Sequence, residues 1–515
     1  MLQKGGRSSA ARPAKVRRLT LPVINWKVMA GGLTAVGLTL LAFAVRLFPI
    51  RISHWWEEAA FLQHAEVIFS GRTNWDELAL QPPFLSVLIA GAFVLRHDAV
   101  AASILLALIS ALCVFVIYLL GKSIYDTTVG LVAAALLTLT PYFITASHWI
   151  LTDVPSTTLI TVAFYLLVTA TRRDSEVLYA LSGAVFGAAV LTRFTSLPLV
   201  LIAPLYFVIM KIRWSRLAYV AAGFLALLIP YFAWSRIRYG FFLSTIANAN
   251  RIVSEKIDPS YYLARFTDIF PLFIVVGLII YAVAILIRVR PFSTRDAEEI
   301  VLGIRVKVDA KVVENLRSIE AVLILWIVLF LAYLSTSSTK DPRDLLPLAP
   351  PLLLLAARGY AHLLTQKNWL RVGTAALLAV LLVPGLQAAF RNLAPPYVIG
   401  EVTEAVAVSR YLVSMRSPAS VVYANHDYPV LAYYTGMRTV VLPWDQSFYR
   451  EYPKLMRAPG FFVFYRRVGK QPTENWLNAN PAFARLREGP DIIVYRYTPR
   501  APRAAGGESN RWLSL

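Results

Sequence analysis

The chain has 515 residues, of which 57% are hydrophobic and 16% charged, and its mean hydropathy is +0.57. A soluble protein of this length does not carry so much apolar surface, so the composition defines an integral membrane protein. The formal charge of +21 is concentrated at the chain ends and between apolar runs, which suits the positive-inside rule and excludes nucleic-acid binding, because no basic patch is backed by a recognition fold.

Residues 1–28 are a basic N-terminus, in which Met1 to Lys27 hold seven Lys or Arg and no acid. The apolar run Met29–Ile50 exceeds the roughly 7–15 residues of a signal-peptide core and reads as a retained anchor, although Ala42-Phe43-Ala44 imitates a cleavage site. Further runs near the spanning length of about 17–25 residues fall at Ala99–Leu120, Thr128–Ala146, Val154–Ala170, Tyr179–Leu191, Thr195–Met210, Leu217–Ile237, Phe270–Ile287, Ala321–Ser335, Leu345–Leu364 and Leu370–Phe390. The expected fold is an α-helical polytopic membrane protein with about eleven transmembrane helices over residues 29–390. Pro82–Leu95 is shorter, opens Pro-Pro, and would upset the alternation of loop charge if it crossed. It is expected to be re-entrant or interfacial within a first external loop, 51–98. The single cysteine, Cys113, lies inside an apolar run and excludes an intrachain disulfide.

With the N-terminus in the cytoplasm, the links containing Lys122, Arg172–Arg173, Lys211 with Arg213 and Arg216, Arg288 to Arg317, and Lys367 with Arg371 fall inside, and every one is basic. An odd number of crossings then places everything after Arg391 outside, in a multi-pass protein of the cell membrane. Within 391–515, Ser420–Ala424, Thr439–Pro443, Phe461–Tyr465 and Asp491–Tyr497 read as strands. The stretch from Tyr428 reads as a helix capped by Asp427 and ended by Gly436, which makes this region a small extracytoplasmic α/β domain.

Three groups of charged residues stand out. Glu57 and Glu58 follow Trp55 and Trp56 at the start of a helix, where they act either as dipole-compensating acids beside interfacial tryptophans or as pocket carboxylates. Asp153 begins the fourth helix at the same level, either as a first-turn acid helped by Pro155 or as a second pocket acid, since acids at the edge of hydrocarbon are costly. Lys340, Arg343, Arg193, Arg251, Lys256 and Arg265 lie on the side where positive charge is unexpected. They are offset either by Asp341, Asp344, Glu255 and Asp258 or by an anionic lipid headgroup. Acids and bases together suggest that a carboxylate deprotonates a hydroxyl, which attacks the anomeric carbon of a lipid-phosphate sugar while cations stabilise the departing phosphate. One base suffices, unlike the paired acids of glycosidases.

The order of these elements resembles the GT-C fold glycosyltransferases that use polyprenyl-phosphate sugars, specifically the protein O-mannosyltransferase and aminoarabinose-transferase-like group. The resemblance rests on Glu57-Glu58, the helix AAFLQHAEVIFSG with NW after it, QPPFLSVLIA, the helix-starting Asp153, GAAVLTRFTSLPLVL and DPRDLLPLAPPLLLLAARG. It implies an inverting transferase with a dolichyl- or undecaprenyl-phosphate donor and a protein, glycolipid or polysaccharide hydroxyl acceptor. It also implies Glu57 as the first candidate base with Glu58 its neighbour, Asp153 as second acid, and Arg343 with Arg193 as phosphate contacts, Lys340 joining them by its charge. Trp55, Trp56 and Gln81 are the candidate sugar or acceptor contacts. Relatives usually open the acid pair with Asp and carry His or Lys where Gln81 stands, so this chain departs at both positions. His54, His148 and His426 show no ligand spacing, and no cofactor beyond the donor is expected; a divalent metal is not indicated. The rival classes are a polytopic transporter or lipid flippase, which would not need a long acidic external loop plus a folded external domain, and a non-catalytic scaffold or degenerate relative.

Overall fold

The computed structural model describes residues 26–51, 53–71, 81–241, 258, 260–288, 300–301, 304–305, 310–337, 340–366, 368–396, 398–399, 402–417, 420–468 and 471–499. In chain order the main helices are α1 (Trp26–Leu47), α2 (Trp56–Phe69), α3 (Phe84–Phe93), α4 (Ala99–Ile124), α5 (Thr127–Thr138), α6 (Pro141–Ser147), α7 (Asp153–Arg173), α8 (Glu176–Thr192), α9 (Ile202–Ile209), α10 (Ser215–Tyr239), α11 (Leu272–Arg288), α12 (Ala310–Thr336), α13 (Ala349–Leu364), α14 (Asn368–Leu381) and α15 (Val383–Leu393). Segments Phe194–Leu201 and Pro342–Leu348 are 3-10 helices.

Apolar runs become helices because hydrocarbon offers backbone groups no partners but one another. Among the described residues, five helices are long and apolar enough to cross a membrane, or seven if each of two bent pairs counts as one span. The bends are 63° between α5 and α6 and 46° between α14 and α15, and each has proline in the first turn of its second helix, where the ring cannot continue the preceding hydrogen-bond ladder. Buried Arg46 of α1 meets the first break, donating 2.8 Å to the Leu137 carbonyl near the end of α5. Proline likewise makes the expected run at 195–210 begin as 3-10 helix around Pro198 before α9. The Pro-Pro run is the ten-residue α3, packed with α2 and α4 through Leu62, Leu85, Ile89, Phe93 and Ala102. Helices α8 and α10 touch backbone to backbone, because a Cβ on Gly183 would lie 1.8 Å from the Val220 carbonyl oxygen and one on Gly223 1.9 Å from that of Ala180.

Strand β1 (Ile50–Arg51) leaves α1 and pairs in parallel with β2 (Val398–Ile399), tying the α1–α2 segment to the root of the C-terminal region. That region contains α16 (Glu404–Ser414), β3 (Val421–Ala424), α17 (Tyr428–Thr435), β4 (Arg438–Val441), α18 (Phe448–Leu455), β5 (Gly460–Tyr465), α19 (Glu474–Ala479), β6 (Phe483–Glu488) and β7 (Ile492–Tyr497). The sheet runs β4-β3-β5-β7-β6, with β4, β3 and β5 parallel and the remaining pairs antiparallel. Strand β6, FARLRE, was hidden from the sequence by its mostly exposed edge position and charged side chains. Helix α17 ends at Gly436 in the left-handed region (φ 62°) as its composition implies, but Asp427 does not cap it. Asp427 is itself left-handed (φ 46°), Pro429 removes one amide that a cap would bind, and the carboxylate turns to His426 Nδ1 at 3.0 Å.

The domain is seated on α2. Ala59 enters its core with Val406, Leu412, Val422 and Leu431. Trp56 meets Tyr428 edge-on at 6.0 Å, and His54 Nδ1 lies 2.8 Å from the Tyr434 hydroxyl. Burial, then the nearby Arg51 charge, push the His54 pKa down to about 4, so the ring is neutral at physiological pH.

Candidate active site

Successive residues of a helix point about 100° apart, so Glu57 and Glu58 in the first turn of α2 face different neighbours. Glu58 is fully buried. Its carboxylate accepts from Arg51 Nη1 at 2.7 and 2.8 Å, from the Trp55 amide at 3.2 Å and from the Ile150 amide at 3.0 Å. Those bonds fasten the start of α2 to the α6–α7 turn. The side chain of Glu57 is 37% exposed and accepts from Arg343 Nη1 at 3.0 Å.

Arg343 stands in the 3-10 turn between α12 and α13. Asp341 grips it through Nε (2.9 Å) and Nη2 (2.7 Å). Burial alone would raise the Asp341 carboxyl, but hydrogen bonds from the Arg343 side chain and amide hold it below its ordinary value. The guanidinium also lies 5.4 Å from the centre of the Trp55 ring, a cation–π placement. Its Nη1 is 4.0 Å from Asp153 Oδ2.

Asp153 opens α7 but does more than favour the helix dipole. It is 3% exposed and ion-paired with Arg193, which follows the last residue of α8. The other Nη of Arg193 pairs with Asp344, whose second oxygen accepts from the Tyr262 hydroxyl at 2.7 Å. A continuous series therefore runs from Glu57 through Arg343, Asp153, Arg193 and Asp344 to Tyr262. Two arginines bridge four carboxylates, the kind of pairing that offsets the cost of enclosing acids.

Helix ends converge here, so residues distant in sequence meet. Of the predicted site residues, Glu57, Asp153, Arg193, Arg343 and Trp55 come together. Glu58 lies behind them, in the anchoring network described above. Lys340 spans the end of α12, donating to the Leu334 (2.8 Å) and Ser335 (3.0 Å) carbonyls, with its ammonium 4.9 Å from the centre of the Tyr262 ring. Trp56 and Gln81 instead line a small cavity of about 10 Å³ with His64 and Tyr428. Asp341 and Asp344 do offset the arginines locally, and they also shape the cluster. The D-P-R-D spacing carried that signal, because proline in the first turn starts a tight helix that brings Asp341, Arg343 and Asp344 together. Arg265 lies elsewhere with Asp268 at 3.2 Å, and Asp258 accepts from Ser260. Arg251, Glu255 and Lys256 are outside the described residues. Among the described residues no group of three His, Cys, Asp or Glu is placed to hold a metal ion.

Residues 80–234, from just before α3 through most of α10 and including Asp153 and Arg193, match the family model of dolichyl-phosphate-mannose-protein mannosyltransferases. No curated protein matches the sequence. The structure is similar to ArnT from Cupriavidus metallidurans bound to undecaprenyl phosphate (13% identity, TM-score 0.65, 92% of this chain and 99% of that one). It is also similar to the same protein in the apo state (13%, TM-score 0.67, 92% and 100%). The apo oligosaccharyltransferase of Archaeoglobus fulgidus matches at 12% identity and TM-score 0.59, over 86% of this chain and 70% of that one. At these identities the likeness establishes the fold. Together with the family model it defines a membrane glycosyltransferase of the GT-C fold.

Proposed function

We propose that the protein moves a sugar from a polyprenyl phosphate, dolichyl or undecaprenyl, to a hydroxyl acceptor with inversion, on the extracytoplasmic face of the cell membrane. The observation that carries this reading is the Glu57–Arg343 contact of 3.0 Å. It places the one half-exposed carboxylate among the three predicted catalytic acids against a cation suited to phosphate. Glu57 is the base. Glu58 and Asp153 are too enclosed and too fully paired to reach an acceptor, so they position the loop and Arg193 respectively.

A guanidinium has five N–H donors, of which Asp341 takes two and Glu57 one in this arrangement. One donor on each terminal nitrogen remains for the donor phosphate. A phosphate bound through these two donors sits beside Glu57 and shares with it the guanidinium charge. The acceptor oxygen then bonds to the anomeric carbon as the bond from that carbon to the phosphate oxygen breaks. Its proton passes to Glu57, and the electron pair leaves with the lipid phosphate, stabilised by Arg343. The undecaprenyl phosphate in the similar ArnT structure supports a donor of this class.

The test is native mass spectrometry of protein purified in mild detergent. A co-purifying polyprenyl phosphate is expected in the wild type and in Glu57→Gln, and its loss is expected in Arg343→Ala. Equal lipid in Arg343→Ala would remove Arg343 as the phosphate contact. No lipid in the wild type, even after added undecaprenyl phosphate, would overturn the donor class.

A further inference from the structure

A cleft of about 470 Å³ lies between the start of α2 and the C-terminal domain, within the size range of small-molecule sites. Trp55 and Trp56 form one wall; Glu404, Asp427, Tyr465 and Asp491 belong to the other. Trp55 is shared between two sites, since it lines this cleft and also lies under the Arg343 guanidinium that holds Glu57. A molecule in the cleft is therefore one aromatic ring from the guanidinium that holds the proposed base.

The lining is chemically selective. Three carboxylates, Glu404, Asp427 and Asp491, share the lining with one guanidinium, Arg467, which pairs with Asp491 at 2.7 Å, and with His426, whose Nδ1 lies 3.0 Å from Asp427. His54 at its edge is neutral, so the cleft carries an excess of negative charge and repels phosphates and carboxylates. Tyr465 adds an independent sign of a ligand. It is 7% exposed and its hydroxyl has no hydrogen-bond partner among the described residues, an unmet need that a native fold rarely tolerates. Asp427, beside it, holds a left-handed backbone conformation uncommon for a residue with a side chain, and such residues cluster at ligand sites.

We propose that this cleft is the acceptor site and that its occupant is an uncharged carbohydrate. The indoles offer flat apolar faces to a sugar ring, the carboxylates accept from its hydroxyls, and the Tyr465 hydroxyl gains its missing partner. The reacting hydroxyl belongs to a neighbouring sugar of the same chain, which passes Trp55 to reach Glu57. The assignment deepens the glycosyltransferase reading and rests on it.

The experiment uses the full chain in lipid nanodiscs, passed over immobilised neutral, phosphorylated and carboxylated oligosaccharides and over Ser/Thr-containing peptides, with undecaprenyl phosphate binding measured in parallel. Retention on neutral glycans alone is expected, falling at least tenfold in Asp427→Asn and in Tyr465→Phe while undecaprenyl phosphate binding persists. Retention only on anionic glycans or on peptides, retention on no glycan, or unchanged retention in both variants would overturn the proposal. A wild type that holds neutral glycans but no undecaprenyl phosphate would strike the donor reading and leave the cleft standing as a carbohydrate site.

Discussion

Glu57 and Glu58 are neighbours in sequence and belong to different regions of the molecule. The region around Glu58 is an anchor: a fully buried carboxylate surrounded by Arg51 and two backbone amides. The region around Glu57 is open, and its carboxylate rests on a guanidinium that other acids already hold in place. The difference teaches that one step along a helix can separate a carboxylate that anchors from one that stays open to a ligand. Enclosure and the number of donors decide which is which.

Exchanging the two roles is the sharpest way to break the comparison. Glu57→Gln is expected to lower transfer from a synthetic polyprenyl-phosphate sugar by about 100-fold or more, with the unfolding temperature unchanged, and Glu57→Asp to retain part of the activity. Glu58→Gln should do the reverse. Losing the charge that Arg51 and two amides address costs about 2–3 kcal/mol, read as a lower thermal midpoint in detergent, while the folded fraction still turns over. Full loss of turnover in Glu58→Gln at unchanged stability would transfer the base to that residue.

His54 extends the comparison to pH. Its folded pKa of about 4 lies below the ordinary 6.5, so between those values the unfolded chain binds more protons than the folded one. The stabilisation is therefore complete above pH 6.5 and is lost as pH falls towards 4, by up to about 3 kcal/mol. Thermal unfolding between pH 7 and 4 should show this acid limb, and His54→Gln should flatten it. Lys340→Ala should have the smallest effect, about 1 kcal/mol from the lost bonds at the end of α12. Polyprenyl phosphate should remain bound in that variant, in contrast to Arg343→Ala; its loss would widen the phosphate site to include Lys340.

Much of the architecture was legible because long-range physics writes it locally. Hydrophobic runs name their helices, β-branched runs named four of the five strands of the C-terminal sheet, and Gly436 marked the end of α17. The breaks were less visible. The run 128–146 contains a helix bent by 63°, which hydropathy cannot see because both halves are equally apolar. Asp427 was misread as a cap, since sequence spacing carries no sign of a left-handed backbone. For the candidate site, the charges on the unexpected side of the membrane drew attention to Arg193 and Arg343, whereas Arg51 and the cleft of the C-terminal domain drew none.

By itself the sequence determined that the chain is a mostly helical membrane protein with a small C-terminal sheet, and which few charges have to be explained. These follow from transfer energies and backbone preferences that act over ten or twenty residues. Only the tertiary structure decided which charge meets which. Arg343 and Glu57 are 286 residues apart, and their contact depends on how helix ends converge at one face of the bundle. The separation of Glu57 from Glu58 was decided in the same way, because a side chain's chemistry depends on what its helix face is packed against.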